Sequence, residues 1–200
     1  MSRDILKYEK CLYEIKERFD IIYDNLTGAR SNEIHFTKIE SICLQFRKVI
    51  ELIVFSSLIA NKEEYSRQYE KFAKNWNIKL IIKDLERINP EFYPIPTEQV
   101  FMHMEDGLPV YDTPPIQNGF LTKIELIEIY NKCGGILHAE NPYGHKRDLK
   151  KLFQEFPIWI EKIAKLLNHH NLTLVDKETI IVGQMMGEDG LPHATEFKAS

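Results

Sequence analysis

The chain has 200 residues, 44% of them hydrophobic, 11% aromatic and 28% charged, with a formal net charge of -4. That composition can bury a core and excludes a disordered tail. The mild acidity excludes a protein that coats DNA, because such binding rests on neutralising phosphates.

From residue 4 to residue 27, Ile5, Tyr8, Leu12, Ile15, Phe19, Ile22 and Leu26 recur in steps of three and four, which predicts one amphipathic helix ended at Thr27-Gly28. Ser31 or Asn32 can cap a second helix reaching about Asn61. Its middle, CLQFRKVIELIVFSSLIA, is apolar almost all round, as expected of the central helix of a bundle, with Phe46, Ile50 and Ile53 in the core. A charged helix from about Lys62 to Asn75 turns Tyr65, Tyr69 and Phe72 inward, and a shorter one from Ile78 to Ile88 stops before Asn89-Pro90.

Prolines then crowd the chain, and two β-like pieces, VFMHM and LPVYDT, flank Asp106-Gly107. Asp-Gly between such runs signals a hairpin, expected around 98–115. A second is expected around 178–198, about Asp189-Gly190. Both turns read EDGLP, as one local solution used twice, and the two hairpins could pair into one small sheet. Between them, Thr122-x-x-Glu125 forms a capping box that opens a helix with Ile124, Ile127, Tyr130 and a core Leu137. A last helix from about Lys146 to Asn168 contains Pro157, which predicts a kink, and His169-His170 reads as its polar end. The expected architecture is mainly α: one domain over residues 1–200, a helical bundle of four to five main helices with one or two small β-hairpins.

Three cysteines (Cys11, Cys43, Cys133), an odd number in no framework spacing, make a disulfide scaffold unexpected. MSRDILKYEK opens without a basic stretch leading into an apolar run, so no signal peptide is expected. The most apolar stretch, Val49 to Ala60, is interrupted by Glu51, Ser56 and Ser57, so no membrane span is expected and the expected location is the cytoplasm.

The segment Tyr130 to Gly144, YNKCGGILHAENPYG, is unusual for a helix. Each glycine costs roughly 1 kcal/mol relative to alanine, so the Gly134-Gly135 pair needs a close neighbour, either a crossing helix or a ligand. Asn141-Pro142 is expected to end the helix with His138 in its last turn, where the helix dipole favours an imidazolium. A histidine can act as acid or base, and Glu140, Tyr143, His145, Lys146 and Arg147 surround it in sequence as an anion or RNA site, or as a solvated corner. Arg47 and Glu51, four apart on the central helix, read either as an ion pair fixing register or as residues of a cleft facing His138. Cys133, His138 and His145 lack the paired spacing of structural zinc sites, and no nucleotide or hydrolase motif occurs, so no metal or cofactor is expected.

Arg47-Lys48-x-x-Glu51 on a central helix, followed by Tyr130-x-x-Cys133-x-x-x-Leu137-His138, resembles the HEPN class of helical domains (higher eukaryote and prokaryote nucleotide-binding) over roughly residues 33 to 168. The resemblance implies a bacterial defence or toxin–antitoxin setting and a homodimer whose histidine-bearing helices face each other. Active members are metal-independent ribonucleases carrying arginine, four to six residues, then histidine. Here His138 would be that histidine, with Lys132 at the five-residue spacing and Cys133 at the four-residue spacing. Lysine keeps the charge without the bidentate grip of arginine. Arg30-x-x-x-x-His35 fits literally but falls in the turn before the second helix.

Two functions follow: an RNA- or protein-binding module that has lost catalysis, or an endoribonuclease with His138 and Lys132 as catalytic residues. In either, Arg47, Glu51, Asn141, Tyr143, His145, Lys146 and Arg147 are the expected binding residues.

Overall fold

The computed structural model describes residues 3–28, 35–68, 77–143 and 146–198. They form a predominantly helical structure with small antiparallel sheets.

Helix α1 (Arg3–Thr27) buries the stripe its spacing predicts, from Ile5 to Ile22. It packs along α2 (Phe36–Ala60), whose buried face runs from Ile39 to Ser57 and includes Phe46, Ile50 and Ile53. His35 stands at the N-cap of α2 without a side-chain cap, and the expected caps Ser31 and Asn32 lie outside the described residues. Helix α3 (Lys62–Gln68) buries Tyr65, while Tyr69 and Phe72 also lie outside them. Helix α4 (Ile78–Ile88) opens on Asn77, which accepts from the Lys79 amide at 3.1 Å, and stops before Asn89-Pro90. Asn89 is buried and donates to Asn61 Oδ1 (3.0 Å) and to the Thr173 carbonyl (2.7 Å), tying this corner to the sheet.

The capping box is present at the start of α5 (Lys123–Leu137). Leu137, expected in the core, is only half-buried at its edge. Helix α6 (Leu149–Leu167) begins on Asp148, which caps the Lys151 amide at 2.9 Å, and carries Pro157 inside it. Phe46 of α2 meets Phe156 and Trp159 of α6 at centroid distances of 5.5 and 5.2 Å.

The expected pairing of the hairpins into one sheet is not what forms. Strands β2 (Val100–Glu105) and β3 (Leu108–Asp112) make a two-stranded sheet by themselves. The other strands, β1 (Ile95–Pro96), β4 (His169–Thr173), β5 (Thr179–Gln184) and β6 (His193–Lys198), make a four-stranded antiparallel sheet in the order β1-β4-β5-β6. His169-His170 is therefore not a polar helix end. It starts a buried strand, in which His170 and Leu172 point inward and His169 and Asn171 outward.

Nor are the two EDGLP turns alike. Asp106 (φ 49°) and Gly107 (φ 80°) are both left-handed in a two-residue loop of the type I′ kind. Gly190 (φ 74°) instead sits in the longer β5–β6 loop, where Asp189 accepts from the Leu191 amide at 2.9 Å. Both glycines have the positive φ their turns call for.

Candidate functional site

Arg47 and Glu51 form a network with Tyr130 between α2 and α5. The Arg47 guanidinium lies 4.1 Å from the Tyr130 ring centroid and donates to its hydroxyl at 2.6 Å. The hydroxyl in turn donates to Glu51 at 3.4 Å, and Arg47 and Glu51 are 3.9 Å apart. A Cβ on Gly134 would stand 2.6 Å from Arg47 Nη1, so this glycine makes room for the guanidinium. Gly135 would meet nothing within 4 Å. The glycine pair is thus explained at one position, by a side chain of the crossing helix.

Helix α5 ends at Leu137, four residues before the expected Asn-Pro stop, and His138 is its C-cap in extended backbone (φ -87°, ψ 150°) with an exposed side chain. Arg147 folds back onto this end. Its guanidinium donates to the carbonyls of Ile136 (3.1 Å), His138 (2.8 Å) and Ala139 (3.4 Å), satisfying the negative end of the helix. It also lies 5.8 Å from the Phe36 ring centroid. Asn141 accepts from the Tyr143 amide at 3.0 Å, closing a local turn, and Tyr143 is 96% exposed. Lys146 is exposed, and His145, like Arg30, lies outside the described residues.

Lys132 turns the other way. It pairs with Glu155 of α6 and sits 5.7 Å from the Trp159 ring centroid. No hydrogen bond or ion pair among the described residues joins Lys132 or Arg47 to the His138 side chain. Cys133 is buried, and a hydrogen bond to Cys43 together with burial holds its thiol far above the usual range. No group of three or more His, Cys, Asp or Glu among the described residues could hold a metal ion. The sequence-predicted constellation is dispersed into helix capping and helix crossing.

Two surfaces that spacing did not reveal stand out instead. The first is the outer face of the four-stranded sheet, where a cavity of about 490 Å³ opens. The register sets its floor in rows: His169 beside Gln184 beside His193, then Asn171 beside Val182 beside Thr195, then Ile180 beside Phe197. Gln99 and Thr113, from the root of the β2–β3 hairpin, form a wall. His169 is 7% exposed, and burial lowers its pKa. Its Nδ1 is engaged with Thr97 Oγ1 at 2.6 Å, so Nε2 is the ring nitrogen left to the cavity. Asn171 Oδ1 is shut off from solvent with no hydrogen-bond partner, alone in this among the buried side-chain polar atoms of the described residues. Leu172 is the only apolar residue of the segment His-His-Asn-Leu-Thr, so no alternation in residues 169–173 signalled this face.

The second surface is the hairpin. The register pairs Phe101 with Tyr111, then shifts, and resumes with His103 opposite Val110 and Met104 opposite Pro109. The irregularity at Met102 therefore puts Phe101 and Met104, three apart, on one face with Tyr111 and Pro109. Phe101, Met104 and Tyr111 are 54%, 57% and 47% exposed.

No family model matches the chain, and no curated protein or solved structure matches it either.

Proposed function

We propose that the chain is a binding module without catalysis, holding a protein partner on the Phe101–Met104–Pro109–Tyr111 face of its hairpin. The observation behind this reading is that face itself: four apolar side chains on a two-stranded ribbon, exposed together. An isolated hairpin is marginal in water, and a contiguous exposed apolar patch marks an interaction site. Glu105, Asp106 and Asp112 rim the ribbon. These carboxylates repel RNA phosphates, and a second copy would set acid against acid. They fit a partner whose apolar patch is rimmed by Lys or Arg.

Binding rather than cleavage is favoured because Lys132, the cation that the ribonuclease alternative sets beside His138, is paired with Glu155. The resemblance to HEPN domains supplies the setting, a bacterial defence or toxin–antitoxin complex in the cytoplasm. We count the bundle as five main helices in one domain, α3 being a short link. Among the described residues, no helix is long and apolar enough to cross a membrane.

A photo-crosslinking residue at position 104, with position 158 on α6 as control, tests the reading in host cells. The expected result is one protein adduct specific to 104, whose purified form loses roughly tenfold or more in affinity for Phe101→Glu. An adduct with RNA, an adduct with a second copy, or none at all would overturn it. So would an RNA-cleaving activity of the purified protein that His138→Ala abolishes.

A further inference from the structure

We propose that Glu9, His193 and Asp189 form a pH-sensitive latch that fastens the β5–β6 loop to α1, closed while His193 is protonated and released as it loses its proton. The imidazole stands between two carboxylates from different elements. Its Nε2 lies 2.9 and 3.0 Å from the two oxygens of Asp189 in the loop, and its Nδ1 lies 3.5 Å from Glu9 Oε1 on α1. Ionised carboxylates only accept, so this arrangement calls for a proton on each ring nitrogen, and only the imidazolium carries two. A neutral ring with its proton on Nε2 turns the Nδ1 lone pair toward Glu9, and the other tautomer turns a lone pair toward Asp189.

The loop is built around this contact. A Cβ on Gly187 would stand 2.5 Å from His193 Cδ2 and 3.2 Å from Asp189 Oδ1, so any side chain there would displace the imidazole. The Leu191 amide donates to Asp189 Oδ1 at 2.9 Å and the Gly187 amide to the Leu191 carbonyl at 2.8 Å, which hold the carboxylate in place. Lys16 of α1 donates to the Gly190 carbonyl, a second tie between the same helix and loop that does not need the histidine.

Among the described residues, Asp189 of the loop and Glu9 of α1 are the charged groups that act on the ring. Gln184, its partner on β5, is uncharged and separates it from His169 in the same row, while Lys16 is committed to Gly190. The Asp189 hydrogen bond above all, and then the charges of Asp189 and Glu9, raise the His193 pKa above its ordinary 6.5. The latch is therefore complete below pH 6.5 and is lost as the pH rises through the folded value. Gln184 and His193 line the outer-face cavity and stand at the two ends of the loop, so release loosens one wall of that cavity. This inference is independent of the partner on the hairpin.

Nuclear magnetic resonance of the full chain from about pH 5.5 to about pH 8.5, following the His193 ring and the exchange protection of the Gly190 and Leu191 amides, tests it. His193 should titrate above 6.5. Protection, corrected for the intrinsic exchange rate, should fall with the same midpoint, by about tenfold for each unit that separates the folded pKa from the ordinary one. Glu9→Gln, which keeps the size of the side chain, should lower the midpoint, and His193→Gln should remove the pH dependence. The proposal fails if His193 titrates at 6.5 or below, if protection does not follow its titration, or if Glu9→Gln leaves the midpoint unchanged.

Discussion

Tyr8 and His170, 162 residues apart, meet in the core through a 2.6 Å hydrogen bond. His170 Nδ1 lies 2.9 Å from the Leu167 carbonyl, which can only accept, so Nδ1 carries the proton and Nε2 accepts from the Tyr8 hydroxyl. Gly183 opposite has no Cβ because the imidazole occupies that space. Burial pushes the His170 pKa down to about 4 and the Tyr8 phenol up.

Stability should follow that shift. Between an unfolded value of 6.5 and a folded value of about 4, the unfolded chain takes up a proton that folded His170 does not. The contribution is complete above pH 6.5, is lost as pH falls toward 4, and levels off below that; it amounts to about 3 kcal/mol. His169, also lowered by burial, acts in the same direction. The lowered carboxylates Asp4 and Asp176 add their own loss at lower pH, as it falls through their folded pKa values. Urea unfolding at pH 7.5, 5.5 and 4.5 should show the decline, and His170→Gln should flatten it.

The adjacent glycines should respond with opposite signs. Gly135→Ala meets open space and gains helix propensity, raising stability by roughly 0.5–1 kcal/mol. Gly134→Ala gains the same propensity but displaces the Arg47 guanidinium from Tyr130, a net loss of about 1 kcal/mol. Denaturant midpoints of the two variants decide this.

At the end of α5, the structure assigns weight to Arg147 and little to His138. Arg147→Ala leaves the last carbonyls uncapped and should cost about 1 kcal/mol, with Arg147→Lys recovering only part because it lacks the fork. His138→Ala removes an exposed side chain and should change stability by less than about 0.5 kcal/mol. Thermal melts of the three proteins distinguish the two positions.

Gly107→Ala should act locally. Its φ of 80° strains any other residue by about 1 kcal/mol, but the hairpin packs mainly on itself. Amide exchange of residues 100–112 should therefore accelerate while the global unfolding transition stays in place.

The helices were legible because a stripe such as Ile5 to Ile22, a capping box and an Asn-Pro stop each act over a few residues. The hairpins were legible because Asp-Gly demands a left-handed backbone. Strand β4 was hidden: His-His-Asn looks solvated until Tyr8, far away in sequence, accounts for the inward imidazole. The geometry around His138 was not legible for a related reason. Arg147 sits among residues that resemble an anion site, yet its partners are carbonyls that the chain reaches only by folding back on α5. Residue type at fixed spacing reports local geometry, while the partner of a long cationic side chain is set by tertiary approach.

The legs of the hairpin carry one more implication. Thr97 and Pro115 are bridged across the antiparallel legs, the Glu98 amide bonds the Pro114 carbonyl at 3.0 Å, and the Ile116 amide bonds the Pro96 carbonyl at 2.8 Å. The backbone thus leaves the body and rejoins it at one point, with partner Cα atoms about 5 Å apart. Residues 98–114 are in that sense a detachable graft. A tight turn could replace them without shifting β1 or α5, and insertions at such a place are the ones a fold tolerates. An arm of different length or sequence can be carried at this point while the interior of the helical body stays the same.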